Sequence, residues 1–360
     1  MKYIKLKKIA TYPTGKLNSN AAEKDGIYPF FTCSHDIYRI NNYAYDGEYV
    51  LLGGNNATGD FPIFYYNGKF NAYQRTYLIQ PIDTNQFDTR YLFYSIGLKL
   101  KLMQSNAAGT ATRFLTQPIL DNINIEYRPL PIQQKIASIL SAYDNLIQNY
   151  KKQIEALQTA ASELYKEWFV RFRFPGWQNA EFENGIPEGW KVVLASELGE
   201  FIRGKNITAE EMQEGMIPVI SAGIEPSGFH NQSNVKGVSL TISNSGANAG
   251  YLQINYSNIW AADCSYCNSA KHIYFYYELL NNMRVVLFNL QKGAAQPHVY
   301  AKDINKMKII LPPSELIETA NKKIKLMHEK IYSLQQQITN LTQQRDLLLP
   351  RLMSGKLEVE

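Results

Sequence analysis

Apolar residues recur every three or four positions along two long stretches of the chain. From Ile136 to Trp168 the gaps alternate between four and three, which is the heptad pattern of a coiled-coil seam. The stretch from Ala320 to Leu352 lies 184 positions further on and repeats the pattern, with Arg345 as its one charged seam position. The pattern therefore predicts two equivalent long helices. We expect their seam to include Ile136, Leu140, Tyr143, Ile147, Tyr150, Ile154, Leu157 and Leu164 in the first helix and Ile324, Met327, Ile331, Leu334, Ile338, Leu341, Leu348 and Leu352 in the second.

The regions that precede the two helices also resemble each other. Pro129 and Pro313 stand at the same offset and open the helices. Further upstream, Gly15-Lys16 has a counterpart in Gly204-Lys205, and the glycine- and asparagine-rich segment 53–59 has one in segment 243–250. These upstream offsets are a few residues larger than the helix offset. The chain therefore reads as two diverged copies of a domain followed by a helix.

Each upstream region contains short apolar runs rich in Tyr, Ile and Phe. Turn signals such as Asp46-Gly47 and Asn67-Gly68 separate these runs, and helical patterns fall near residues 89–103 and 278–290. The pattern predicts an α+β fold in which two similar mixed, mostly β domains are separated by two long helices, with an internal pseudo-two-fold repeat. The expected boundaries are 1–130 for the first domain, 131–174 for the central helix, 175–312 for the second domain and 313–360 for the C-terminal helix.

The order of the elements predicts how the helices pair. The first helix delivers the chain to the second domain, so the second helix must run back if the two apolar seams bury each other. We therefore expect an antiparallel coiled coil. A rise of about 1.5 Å per residue makes the helical spacer roughly 50 Å long, which corresponds to about one to one and a half turns of B-DNA.

Composition and charge narrow the class of protein without deciding it. Hydrophobic residues make up 45% and charged residues 19% of the chain, as in soluble globular proteins. The net charge of +5 mildly favours a polyanionic partner. The first residues lack the apolar core of a signal peptide and no apolar run reaches the roughly 20 residues of a membrane span, so we expect a cytoplasmic protein.

The three cysteines are too few for a disulfide framework. Cys264 and Cys267 form a Cys-x-x-Cys pair, but a structural zinc site needs four ligands and the sequence has no second pair. His272 and His298 could complete such a site only if the fold delivered them. We therefore expect no metal and no cofactor. The sequence alone does not decide whether Cys264 and Cys267 bind a metal ion.

Residues 128–137, RPLPIQQKIA, closely resemble the signature that opens the central helix of type I restriction-modification specificity subunits. Segment 185–190, GIPEGW, segment 352–357, LMSGKL, and the half-repeat itself are also similar to that family. The resemblance covers essentially the whole chain. It departs in the second copy, where segment 312–317, PPSELI, lacks the glutamine pair. We therefore expect a weaker or different partner contact there.

The resemblance implies a DNA-reading scaffold. Each domain would be a target-recognition domain that reads one half of a split, asymmetric site on double-stranded DNA. The helices would bind two copies of the adenine methyltransferase subunit, and translocating restriction subunits would join them for cleavage.

Motifs for catalysis are incomplete in this chain. Adenine methylation requires an Asp/Asn-Pro-Pro-aromatic loop, and Leu311-Pro312-Pro313-Ser314 lacks both the acid and the aromatic residue. Segment 199–206, GEFIRGKN, resembles a phosphate loop but ends in Asn206 where a Ser or Thr hydroxyl would bind Mg²⁺. We therefore expect a non-catalytic protein.

Base reading requires side chains that present paired donors and acceptors, which are mainly Asn, Gln, Arg and Lys. Glycine-rich loops that carry such residues are the natural candidates. In the first domain the DNA-binding candidates are Lys16, Asn55, Asn56, Thr58, Gln74, Arg75, Thr110, Thr112 and Arg113. In the second domain they are Lys205, Asn244, Asn248, Lys271, Lys292, Gln296 and His298.

Two other functions are compatible with the same pattern. A coiled-coil adaptor whose β domains bind protein or carbohydrate would show no salt-dependent DNA binding, whereas phosphate contacts produce a steep salt dependence. A stand-alone nuclease with an unrecognised site would cut DNA in the presence of Mg²⁺.

The sequence also leaves open whether Arg345 pairs across the coil or faces outward.

Overall fold

The computed structural model describes residues 2–56, 59–106, 114–293 and 296–359. The chain divides into unit 1, formed by Met1–Gln148 with Ile338–Glu360, and unit 2, formed by Asn149–Gln337. Each unit combines a β-rich part with a portion of each long helix. Within the described residues, no helix is both long and apolar enough to cross a membrane.

The β-rich part of unit 1 contains the first eight strands. These are β1 Tyr3–Lys5, β2 Ala10–Thr11, β3 Tyr28–Phe31, β4 Tyr38–Ile40, β5 Tyr45–Gly53, β6 Ile63–Ala72, β7 Thr76–Pro81 and β8 Asn124–Glu126, with helices α1 Thr89–Asn106 and α2 Gln117–Asp121. The described residues form a six-stranded sheet of order β2-β7-β5-β6-β3-β4, in which β3 and β6 are parallel and the other neighbours are antiparallel. Strands β1 and β8 form a separate antiparallel pair.

Strand β5 is apolar on both faces because both faces of the sheet are covered. Val50 and Leu52 pack in a cluster with Tyr91 and Leu92 of α1. Leu51 points to the opposite face, as alternation along a strand requires, and packs among aromatic residues that include Phe70. A strand covered on both sides reads as a continuous apolar run, so its alternation is hidden in the sequence.

The turns predicted at Asp46-Gly47 and Asn67-Gly68 are wrong. Both dipeptides lie inside β5 and β6, where Gly47 pairs directly with Gly68 across the antiparallel ladder. Both glycines have positive φ angles, 131° and 140°. The glycines therefore serve an irregular stretch of a paired ladder rather than reversing the chain, because cross-strand pairing outweighs the local turn preference.

Unit 2 contains the remaining strands and the shorter helices. They are β9 Phe182–Glu183, β10 Ile186–Pro187, β11 Lys191–Leu194, β12 Ile202–Arg203, β13 Ile217–Ile220, β14 Gly228–His230, β15 Ser239–Ser243, β16 Leu252–Asn255, β17 Trp260–Ala261, β18 Cys264–Cys267, β19 Lys308–Leu311, α4 Ile273–Asn282, α5 Arg284–Asn289 and α6 Ala301–Asn305. Among the described residues, β12-β18-β15-β16 form a four-stranded sheet and β14-β13-β17 a three-stranded one. The pairs β9-β10 and β11-β19 are antiparallel. The helix predicted at 278–290 is divided at Met283 into α4 and α5, whereas the one at 89–103 is continuous.

The pairing of strands repeats between the units. Phe31 pairs in parallel with Ala72 in unit 1, and Ile220 pairs in parallel with Ala261 in unit 2. The first and last strands of each domain also pair, β1 with β8 and β11 with β19. The internal repeat predicted from the sequence is confirmed.

The two long helices are α3 Leu130–Tyr165, continued by a π-helical turn at Lys166–Val170, and α7 Ser314–Met353. In unit 1, Ile136 near the start of α3 shares an apolar cluster with Leu352 at the end of α7. In unit 2, Tyr165 at the end of α3 shares a cluster with Ile324 near the start of α7. The pairing is therefore antiparallel within each unit, as predicted. Of the seam residues, Ile136, Leu140, Ile147, Ile324, Ile331, Leu334 and Leu352 are buried and Tyr143, Tyr150, Ile154, Leu157, Leu164, Met327, Ile338, Leu341 and Leu348 are half-buried.

The glutamine of the helix-opening signature anchors α3 to its own domain. Gln133 is fully buried, its Oε1 accepts the Asp88 N–H at 3.0 Å, and its Nε2 donates to the carbonyls of Gln86 and Arg128 at 2.8 Å each. In the second copy Ile317 stands at the same offset and packs in the apolar core. In the second copy, apolar packing of Ile317 thus replaces the hydrogen bonds that Gln133 makes in the first.

Candidate nucleic-acid interface

Segments 13–18, 54–56, 73–75 and 114–116 meet at one edge of the unit 1 sheet, here called edge 1. The Gln74 N–H donates to the Leu17 carbonyl at 2.8 Å, and the Gly54 N–H donates to the Arg75 carbonyl at 2.8 Å. The Leu115 N–H donates to the Gly54 carbonyl at 2.9 Å. These bonds hold loops that are far apart in sequence next to one another.

Glycine is required where segment 13–18 crosses the β6–β7 turn. A Cβ on Gly15 would lie 2.3 Å from the Ala72 carbonyl oxygen, far inside van der Waals contact. Gly204 meets the Ala262 carbonyl oxygen at 2.4 Å in the same way. Gly204, in the segment that resembles a phosphate loop, and Gly15, in its first-half counterpart, are therefore close backbone crossings, and each leaves the next lysine exposed to solvent.

Several predicted DNA-binding residues come together at edge 1. Lys16, Gln74 and Arg75 are exposed and Asn55 is half-buried. Burial raises the pKa of the Cys33 thiol, while the backbone N–H groups of Asn55 and Gly54 and the charge of Arg75 oppose that rise. The Cys33 thiol lies 3.6 Å from the Arg75 carbonyl oxygen, so it belongs to the same edge. Asn56 is also half-buried, whereas Thr58, Thr110, Thr112 and Arg113 lie outside the described residues.

Edge 2 is the equivalent region of unit 2 and consists of segments 204–206, 244–248, 261–263 and 296–299. The Asn244 N–H donates to the Asp263 carbonyl at 3.3 Å, and the Val299 N–H donates to the Asn244 carbonyl at 2.9 Å. The Lys205 N–H donates to the Ala261 carbonyl at 2.9 Å. Edge 2 is therefore closed by the same type of backbone bonds as edge 1.

The two edges share one backbone frame and carry different side chains. The bond from Gly54 to Arg75 in edge 1 corresponds to the bond from Asn244 to Asp263 in edge 2. An isolated bridge joins Asn55 to Phe114, and another joins Ser245 to His298 in the corresponding place. Arg75 is thus replaced by Asp263, Asn55 by Ser245 and Phe114 by His298.

The predicted residues of unit 2 differ in how they are held. Lys205 and Gln296 are exposed and Asn248 is half-buried. Lys292 is exposed but pairs with Asp303 at 2.7 Å. His298 is half-buried and stacks on Tyr300 with ring centroids 6.1 Å apart.

Two predicted residues of unit 2 have other surroundings. Asn244 is only 6% exposed and its Oδ1 accepts the Ser265 hydroxyl at 2.7 Å, so its side chain holds the loop. Lys271 precedes α4 and lies near Glu318 of α7, whose pKa is lowered mainly by Lys322 and also by Lys271. The backbone bonds that close edge 2 do not include Lys271.

Comparison with protein families finds one family that matches both halves of the chain. The family described as the type I restriction modification DNA specificity domain matches residues 1–159 and again residues 187–347. The chain belongs to this family. The two matches correspond to the two halves of the repeat, each with its edge and its helix.

Two relatives of this specificity-domain chain are named type I restriction enzyme specificity subunits. The MjaIX subunit from Methanocaldococcus jannaschii is 29% identical over 303 residues, which cover 76% of this chain and 70% of the relative. The EcoDI subunit from Escherichia coli is 32% identical over 223 residues, which cover 55% of this chain and 49% of the relative. The match thus spans about half the length of the E. coli protein.

The fold is shared with a solved structure. The crystal structure of a type I restriction-modification S subunit from M. genitalium superposes with a TM-score of 0.67 at 18% identity and covers 98% of this chain and 95% of that one.

Sequence reasoning missed several residues of the edges of this specificity-domain chain. Asp263 and Ser245 belong to edge 2, and the Ser245 hydroxyl donates to the Asp263 carboxylate. The Trp260 Nε1 donates to the Lys205 carbonyl at 2.8 Å, and Phe114 of edge 1 is 53% exposed. The sequence offsets of 189 at Gly15 and 190 at Gly53 do not align Asp263 with Arg75, and only the strand register of Thr76 and Cys264 does.

The two cysteines of the Cys-x-x-Cys pair lie in β18 and pack in two separate apolar clusters. Cys264 packs with Ile220 and Val235, and its thiol lies 3.5 Å from the Ile220 carbonyl oxygen. Cys267 packs in the main core of unit 2. Burial raises the pKa of the Cys264 thiol to about 12. In the part of the chain that the structure describes, no group of three or more His, Cys, Asp or Glu side chains is placed to hold a metal ion.

Proposed function

We propose that this chain is the DNA-reading specificity subunit of a type I restriction-modification enzyme and catalyses no reaction itself. Edge 1 and edge 2 would each read one half of a bipartite site on double-stranded DNA. The observation that carries the proposal is the shared backbone frame with exchanged side chains, Arg75 for Asp263 and Phe114 for His298. One frame that presents different donors and acceptors would read different bases, so the two half-sites should differ in sequence.

We propose that the exposed and half-buried polar residues at the edges make the DNA contacts. In edge 1 these are Lys16, Asn55, Asn56, Gln74 and Arg75, and in edge 2 they are Lys205, Asn248, Gln296 and His298. Lys292 joins them from beside edge 2, where its N–H donates to the His298 carbonyl at 2.9 Å. Lys292 would exchange its pairing with Asp303 for a phosphate. Asn244 would shape its loop from within, and Lys271 is retained as a candidate outside edge 2.

The helices would dock the catalytic subunits. Ile139 of α3 and Leu326 and Leu347 of α7 lie off the seam and are 37%, 68% and 63% exposed. Apolar side chains on the outer face of a helix are suited to bind another protein. We propose that two adenine methyltransferase subunits bind α3 and α7, that restriction subunits join this complex, and that it acts in the cytoplasm where the DNA is. We retain 1–130 and 175–312 as recognition domains and 131–174 and 313–360 as docking helices.

Methylation mapping tests the proposal. The chain is coexpressed with its methyltransferase partner, and methylated adenines are located by long-read sequencing. One split motif is expected, and replacing residues 1–130 by the equivalent domain of another specificity subunit should change one half of it. A methylome without a split motif, or a swap that alters both halves, would contradict the proposal.

Binding and cleavage assays separate this function from the alternatives. The complex should bind its site with an affinity that falls steeply with salt, because phosphate contacts release counterions. An affinity that does not change with salt would instead favour an adaptor. Reproducible cutting of DNA by the isolated chain with Mg²⁺ would contradict its non-catalytic role.

A further inference from the structure

Arg75 and Asp263 occupy the same place in the two copies. Each is the residue immediately before a central strand, β7 in unit 1 and β18 in unit 2. The next residue pairs in antiparallel register with its neighbour strand, Thr76 with Gly53 and Cys264 with Ser243. The carbonyl oxygen of each accepts one loop N–H, from Gly54 at 2.8 Å and from Asn244 at 3.3 Å. The backbone equivalence is therefore supported by strand register and by hydrogen bonding.

The side chain of Arg75 is available to a ligand. It is exposed, and among the residues that the structure describes its guanidinium makes neither a hydrogen bond nor an ion pair. Its backbone oxygen accepts the Gly54 N–H and lies 3.6 Å from the Cys33 thiol.

The side chain of Asp263 is oriented but carries no paired cation. Its Oδ2 accepts a hydrogen bond from the hydroxyl of Ser245, the residue that bridges to His298. Within the described ranges no Lys, Arg or His nitrogen lies within ion-pair distance of its carboxylate. An unpaired, half-buried carboxylate on an edge that binds a polyanion is unfavourable unless it accepts a hydrogen bond from the ligand.

The exchange of charge at this position identifies what faces it. If the position faced a phosphate, Asp263 would be repelled by the DNA backbone. If it faces base edges, both residues have a partner, because Arg binds the O6 and N7 of guanine with two hydrogen bonds and Asp accepts one from the N4 amino group of cytosine. The same frame docked in the same way therefore places base edges, not phosphates, opposite both side chains.

We infer that residues 75 and 263 are paired specificity determinants, with Arg75 reading a guanine in the half-site of edge 1 and Asp263 reading a cytosine in the half-site of edge 2. Ser245 acts as a positioning residue, since its hydroxyl fixes one carboxylate oxygen and leaves the other for the base. This inference rests on the proposed function and adds to it the base that each copy recognises at one equivalent position.

The experiment compares methylomes of the complete complex carrying Arg75→Ala, Arg75→Lys or Asp263→Ala with that of the wild type. Arg75→Ala should lower discrimination for one guanine roughly 10- to 100-fold, in the half-site of edge 1 alone. Asp263→Ala should do the same for one cytosine in the other half-site. Arg75→Lys keeps the charge but loses the planar fork, so it should relax the same guanine.

Lys16→Ala is the matched control, because it removes an exposed charge from the same edge. It should weaken binding to all sequences similarly and reduce the salt slope by about one, without relaxing any position of the motif. If Arg75→Ala behaves like this control, Arg75 contacts a phosphate and the inference is wrong.

A variant that abolishes methylation is resolved by binding competition with the assembled complex. Changing the assigned base pair should weaken binding of the wild type and leave binding of the Arg75 variant unchanged, and an equal penalty in both would overturn the inference. A wild-type complex without any split motif would instead refute the proposed function, so the two failures are distinguishable.

Discussion

The Arg345 guanidinium of α7 donates through Nη1 to the Asp144 Oδ1 of α3 at 2.6 Å. The other carboxylate oxygen of Asp144 accepts the Tyr94 hydroxyl at 2.5 Å, so α1 joins the same network. Arg345, the charged position of the heptad seam, thus pairs across the helices of unit 1 and does not face outward. The sequence alone left these two possibilities open. The pair is about three-quarters buried, with side chains 25% and 29% exposed.

A double-mutant cycle on this pair should reveal coupling between α3 and α7. Arg345→Ala and Asp144→Ala should each lower the free energy of unfolding by about 1–3 kcal/mol, because each leaves a partly buried charge without its partner. Urea denaturation should give a coupling energy of about 0.5–3 kcal/mol. Asp346→Ala removes the more exposed partner of Arg345 and should cost about 0–1 kcal/mol. Strictly additive effects would show that the pair does not couple the helices.

Replacing Gln133 should release α3 from the α1 region. Gln133→Ala removes the partners of the Asp88 N–H and of two carbonyl groups. We expect a loss of about 2–4 kcal/mol in the free energy of unfolding, since buried polar groups are left unsatisfied. The neighbouring Gln134→Ala is the control and should stay within about 0.5 kcal/mol of wild type because Gln134 is exposed. Similar stabilities of the two variants would contradict the anchoring role.

The His328 ring should stabilise unit 2 through a buried carboxylate. His328 Nε2 lies 3.1 Å from Glu278 Oε1, and its Nδ1 lies 2.8 Å from the Tyr256 hydroxyl. The side chains of His328 and Glu278 are each only 2% exposed. His328→Ala should cost about 3–5 kcal/mol, because the buried Glu278 carboxylate then loses its partner at Oε1 and keeps only the Asn281 amide, which donates to Oε2 at 3.3 Å. The exposed Glu329→Ala serves as control. Recovery of part of the loss in Glu278→Leu/His328→Leu would support this cause, whereas a neutral His328→Ala would exclude it.

Alkaline unfolding should report the buried Tyr91. Burial raises the pKa of Tyr91 to about 12, with a further rise from Glu126. Because the pKa is raised above the ordinary 10.0, this stabilisation is complete below pH 10 and is lost as the pH rises from 10 through 12. Ionisation of Tyr91 should therefore lower the free energy of unfolding by about 2–3 kcal/mol across this pH range.

The test compares urea denaturation of the wild type and Tyr91→Phe across this pH range. The variant should be less stable near neutral pH by about 0.5–1.5 kcal/mol, because the hydroxyl loses its bond to the Glu126 carbonyl. Its stability should fall less between pH 10 and 12. Tyr3→Phe, at a 51% exposed position, should follow the wild type. Parallel curves for the wild type and Tyr91→Phe would contradict the assignment.

Alkylation should label Cys33 selectively and report DNA at edge 1. Cys33 is half-exposed, whereas Cys264 and Cys267 are 0% and 1% exposed. Iodoacetamide at a pH of about 8.5 should therefore modify Cys33 alone, as read by mass spectrometry. In the assembled complex, cognate DNA should slow this labelling more than a scrambled duplex, because the Cys33 thiol lies 3.6 Å from the Arg75 carbonyl oxygen. Cys33→Ser should remove the label, and labelling that is unaffected by cognate DNA would place edge 1 away from the duplex.

The long helices and the repeat were predictable because their signals are local. Side chains three and four positions apart share a helix face whatever surrounds them, so the seam from Ile136 to Trp168 identifies α3 directly. The constant offset then identifies the second copy, and the antiparallel direction follows from the order of domain and helix. The sequence also brought Lys16, Gln74 and Arg75 into one candidate set.

The tertiary structure decided which polar side chains face water and which hold the fold. In the sequence, Asn244 is a DNA-binding candidate and Gln133 is part of the helix-opening signature. In the structure, Ser265 and Asp88, which lie far along the chain, occupy their hydrogen-bonding groups. Likewise, the Asn67-Gly68 dipeptide lies in a ladder because β5 is available to pair with it. Local pattern determines which residues share a face of an element. Only the packing of distant segments determines what that face meets, and so which side chains remain free for DNA.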